Sequence, residues 1–78
     1  MGVNYTHTEY LKAIILELRV ECGKYPSRFL ASLTGINYST VNRFVNGDNP
    51  KLSTVFKLLD AVYDEDVDIE VKYKQWSN

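Results

Sequence analysis

Cysteine, histidine and methionine each occur once in this chain of 78 residues. A lone cysteine, Cys22, excludes an internal disulfide and suits a reducing compartment. With His7 it also leaves too few ligands for a zinc site, and no metal or other cofactor is expected. Apolar runs are short. The longest, Ala13 to Leu16, falls far below the roughly 20 residues of a membrane span. Glu9 and Lys12 stand where the apolar core of a secretion signal would begin, so a cytoplasmic protein is expected. There is no glycine-rich phosphate loop, and the one histidine has no evident nucleophile partner. No enzyme is expected. Excess positive charge is missing too: the net charge of −1 argues against a general polyanion binder.

What is present is ordinary for one small globular domain, with 45% hydrophobic and 24% charged residues. A chain this short buries only about 60% of its unfolded surface, so self-association would help it. The charges are not evenly spread. Residues 24–51 carry Lys24, Arg28, Arg43 and Lys51 against Asp48 alone. Residues 52–78 carry three lysines against six acids, Asp60, Asp64, Glu65, Asp66, Asp68 and Glu70.

Periodicity predicts four helices, about 8–22, 28–34, 38–46 and 52–62. In the first, Thr6 and Glu9 suit a capping box, and Leu11, Ile14, Ile15, Leu18 and Cys22 form an inward stripe. Before it, Val3 and Tyr5 suit a short extended piece. Pro26 precedes the second helix, with Ser27 as its expected cap. In the fourth, Leu52, Val55, Phe56, Leu58, Leu59 and Val62 are expected mostly inward.

The third helix carries the functional signal. At about 100° per residue, Val41, Phe44 and Val45 share one arc, and Tyr38, Ser39, Asn42, Arg43 and Asn46 share another. Asn37 suits the N-cap, and Asn46-Gly47 suits the C-terminus. The preceding helix, the break at Gly35 and this helix make a helix-turn-helix. In such a unit the second helix lies in the DNA major groove. Arg43 offers a fork that fits guanine or phosphate, Asn42 can serve adenine, and the Tyr38 ring can meet a thymine methyl. Free amides at helix starts favour phosphate near Ser27, Arg28, Asn37 and Thr40.

The segment from Arg28 to Val62 resembles the lambda-repressor/Cro-type (XRE) helix-turn-helix family. The matching residues are Leu30-Ala31, Thr34-Gly35-Ile36, Ser39-Thr40-Val41 with Arg43, Asn46-Gly47, Pro50, and Leu52 to Leu58. The resemblance implies a compact, mainly α, four-helix DNA-binding domain over residues 1–66. It places Ser27, Asn37, Thr40, Asn46 and Lys51 at phosphate positions. It places Tyr38, Ser39, Asn42 and Arg43 at reading positions. Asp48 departs from the family, which often has a basic residue there. Phe29 and Val45 stand where polar residues are common, so a partner contact or tighter packing is expected of them.

In the tail, Val67, Ile69, Val71 and Tyr73 alternate with charged residues, the period of a half-buried strand. A lone strand leaves its backbone unpaired. Residues 67–78 are therefore expected to pair across a homodimer, or with Val3–Tyr5 of the same chain. Trp76 is expected to cover that sheet. The functional expectation is a homodimeric repressor on an inverted-repeat DNA operator, of the Cro or antitoxin type, with a toxin or other protein as a further partner. The rival is a protein-interaction module that uses the same face.

Overall fold

The structure is a computed structural model that describes residues 7–78. It contains α1 (His7–Cys22), α2 (Ser27–Thr34), α3 (Tyr38–Val45), α4 (Leu52–Tyr63) and α5 (Ile69–Ser77). No strand occurs among the described residues. The capping box expected of Thr6 and the extended piece at Val3–Tyr5 lie outside them.

The first four helices follow the apolar periodicity. α1 contributes Leu18 and Cys22, α2 Phe29 and Leu30, α3 Val41 and Phe44, and α4 Val55 and Leu58, and these side chains form one core. Each such burial stabilises by about 1.5–3 kcal/mol for a residue of Val or Leu size. α2 packs on α3 and α4, and α1 packs on the same two helices. Ile14, Leu52 and Phe56 are exposed rather than inward, because each lies off the centre of its helix's buried stripe.

The α2–α3 corner is set locally. Gly35 adopts φ 76°, and its N–H donates to the Ala31 carbonyl at 2.9 Å. A Cβ at Gly35 would meet nothing within 4 Å, so the demand there is conformational, not steric. Thr34 Oγ1 donates to the Leu30 carbonyl at 2.7 Å and accepts the Ile36 N–H at 3.2 Å. Ile36 then packs against the core. The expected Ser27 cap is not made. Pro26 occupies the N-cap position with ψ 140° and no side-chain bond, and Ser27 is the first helical residue. Proline's fixed φ and missing N–H suit that boundary.

The tail corrects the sequence reading. Residues 69–77 are helical, not a strand, and no row of Val67, Ile69, Val71 and Tyr73 exists for a partner to pair with. Asp68 caps the helix: its Oδ1 accepts the N–H groups of Glu70 and Val71 at 3.1 and 3.3 Å. Ile69, Tyr73 and Trp76 then fall at i, i+4 and i+7, one face of a helix. Ile69 enters the core and Tyr73 packs against it, while Val71 is exposed. Tyr25, Phe29, Tyr73 and Trp76 form an aromatic seam, with neighbouring ring centroids from 5.2 Å (Phe29–Tyr73) to 6.2 Å (Tyr73–Trp76). Phe29 is only 2% exposed beneath it. It is a core residue, and Trp76 packs on it at 5.6 Å rather than covering a sheet. No helix among the described residues is long and apolar enough to cross a membrane.

Candidate nucleic-acid interface

α3 is fixed at both ends. At its start, Asn37 Oδ1 accepts the Ser39 N–H at 2.9 Å and the Ser39 hydroxyl at 2.7 Å. The cap read from the sequence is present, and it uses the one hydroxyl proton of Ser39 as well as its amide. At the far end, Arg19 reaches across from α1. Its Nε donates to the Phe44 carbonyl at 2.8 Å, and its guanidinium donates to the Asp48 carbonyl at 3.1 Å. The same guanidinium lies 5.0 Å from the centroid of the Phe44 ring. A cation at a helix C-terminus meets unspent carbonyls and the negative end of the dipole. Gly47 closes the chain with φ 109° and an N–H bond to the Phe44 carbonyl.

Between these anchors the outer face of α3 is open. Tyr38, Ser39 and Arg43 are exposed and Asn42 is half-buried. Arg43 Nε lies 3.4 Å from the Ser39 carbonyl, one turn back along the helix. Val41 and Phe44 hold the opposite face in the core. All four residues expected to read bases therefore share one surface.

The two flanks of that face differ from α3 in how their helices begin. α3 and α5 start with side-chain caps, whereas α2 and α4 start without one. The first amides of α2 and α4 thus remain available for an outside acceptor. On the α2 flank, Arg28 lies over the Tyr38 ring at 5.1 Å. On the α4 flank, Arg43, Thr40, Lys51, Ser53 and Lys57 line an open groove of about 470 Å³. Asp48 lines the same groove and is the one acid there, opposing any anion. Of the other expected phosphate residues, Asn37 and Asn46 are exposed and Ser27 is half-buried.

Two participants were not singled out from the sequence. Arg19 sits one position beyond Leu18, at the edge of the α1 stripe, and its partners are 25 and 29 residues away. Lys57 follows Ser53 by one turn on the outer side of α4, a spacing that could have flagged it. Cys22 is fully buried, and burial pushes its thiol up to about 12, so it is a core residue and not a nucleophile. No family model matches this chain, and no curated protein or solved structure is significantly similar to it.

Proposed function

We propose that this chain is a sequence-specific double-stranded DNA-binding protein of the lambda-repressor/Cro type, working as a cytoplasmic transcriptional regulator. The observation that carries the reading is the open polar face of α3, set between two helix starts without side-chain caps. α3 enters the major groove with Tyr38, Ser39, Asn42 and Arg43 toward base edges. The starts of α2 and α4 take phosphates on either side, helped by Lys51 and Lys57. Occupying an operator would exclude polymerase, which makes repression the natural mode.

The reading includes a homodimer on an inverted repeat with half-sites about 34 Å apart, although strand pairing does not supply its contact. The rival reading, a protein docked on the same face, draws support from Asp48 in the groove. It loses the support it took from Phe29, which is buried. Selection of bound duplexes from a random pool tests the proposal. One enriched sequence, arranged with two-fold symmetry, is expected. Its affinity should fall with salt in proportion to the phosphates neutralised, with a logarithmic slope of about −0.9 per contact. An unenriched pool, or salt-independent binding, sinks the proposal.

A further inference from the structure

The Arg28–Tyr38 stack goes beyond a phosphate contact. Tyr38 is the first residue of α3, where helix-turn-helix side chains reach base edges. It is 45% exposed, and the Arg28 guanidinium lies over its ring, 5.1 Å from the centroid. Arg28 is itself exposed. The one salt bridge among the described residues joins Lys24 to Glu21, so no carboxylate claims the Arg28 fork. A flat apolar ring and a forked donor thus lie one over the other at the entry to the reading face.

Each half has a counterpart in the major groove. The thymine C5-methyl is the apolar group presented there, and guanine O6 and N7 are the acceptor pair that fits an arginine fork. Successive base pairs rise by about 3.4 Å along the duplex. A methyl and an O6/N7 pair belong to different bases, and two groups 5.1 Å apart are close enough to face neighbouring base pairs.

Resting on the DNA-binding reading above, we propose that Tyr38 and Arg28 act as one unit that reads a thymine next to a guanine. Tyr38 meets the methyl, and Arg28 both holds the ring and donates its fork to the guanine. Arg28 then specifies sequence as well as contributing charge.

The test uses the full chain and the duplex won from a random pool. In that duplex the thymine is replaced by deoxyuridine, which removes only the methyl. Separately the guanine is replaced by 7-deazaguanine, which removes only N7. Each change should weaken binding by the native chain roughly tenfold, within the range of one base contact. In Tyr38→Ala the uridine penalty should vanish. In Arg28→Met the deazaguanine penalty should vanish and the uridine penalty should shrink, because the ring is no longer held. A fold defect alone would lower affinity for all three duplexes equally and leave both penalties in place. The proposal is overturned if the winning site has no thymine beside a guanine, or if the native chain ignores both replacements. It is also overturned if Arg28→Met costs the same on every duplex and reduces the salt slope by about one contact. Each of these results leaves the DNA-binding reading intact. A pool with no enriched sequence ends both.

Discussion

α2 takes part in two surfaces that use its side chains in opposite ways. Toward α5, Phe29 is buried in a seam in which Tyr25, Tyr73 and Trp76 each meet its ring. Toward α3, Arg28 and Tyr38 touch each other and stop, and beyond them Ser39, Asn42 and Arg43 carry polar groups outward. The seam has spent its rings on the fold. The α3 face has spent the Asn37 cap, the Ser39 hydroxyl proton and the Arg43 Nε–H, and leaves the remaining Arg43 donors and the Asn42 amide uncommitted. A substitution in the seam should cost stability and leave preference alone. A substitution on the face should do the reverse.

The largest effect should come from the seam. Phe29→Ala should destabilise by about 3–5 kcal/mol in urea unfolding, as for a buried aromatic. The whole stability of a domain this size is of order 4–12 kcal/mol, so the variant should be largely unfolded when warmed. A loss below about 0.5 kcal/mol, the scale of surface changes, would put Phe29 on an outer surface after all.

Next comes the core beneath α1. The Cys22 thiol is raised from 9.0 to about 12, first by burial and then by the charge of Glu21. The folded state therefore keeps its proton where the unfolded chain loses it. This contribution is complete below pH 9, and stability falls as pH rises from 9 toward 12, by at most about 1.4 kcal/mol per unit. Burial also raises the Tyr25 and Tyr63 hydroxyls, which act with the same sign. Unfolding curves at pH 8.5 and 11 should diverge less in Cys22→Ala than in the native chain. Equal divergence would remove the cysteine from the explanation.

Smaller effects belong to the face. Arg43→Ala should leave the unfolding curve within about 0.5 kcal/mol of the native one and cost about 1–3 kcal/mol on the selected duplex. Equal loss on every duplex would reassign Arg43 to phosphate. Smallest of all, Asp48→Asn should tighten binding by up to about 1 kcal/mol at low salt, since it removes an exposed like charge from the groove. Weaker binding in that variant would favour a cationic protein surface as the ligand.

How much of this was legible in the chain divides along the same line. Asn37, Gly35 and the Val41–Phe44 stripe are local signals, and each does in the structure what its spacing implied. The tail was ambiguous because Ile69 and Tyr73 satisfy both a period of two and a spacing of i, i+4. Asp68 as a cap and Trp76 at i+7 favour the helix. The seam that holds that helix pairs rings more than 40 residues apart in the chain, such as Phe29 with Tyr73, and no local pattern carries such a contact. Arg19 was hidden for the same reason. It looks like a charged residue beside an apolar stripe until α3 ends against it.

The most direct measurement follows backbone amide resonances of the full chain as the selected duplex is added. Shifts should gather at Ser27–Phe29, Asn37–Asn46 and Lys51–Lys57, and α5 from Ile69 to Ser77 should stay unmoved. Shifts centred on α5 and the Phe29 seam, with α3 silent, would contradict the account.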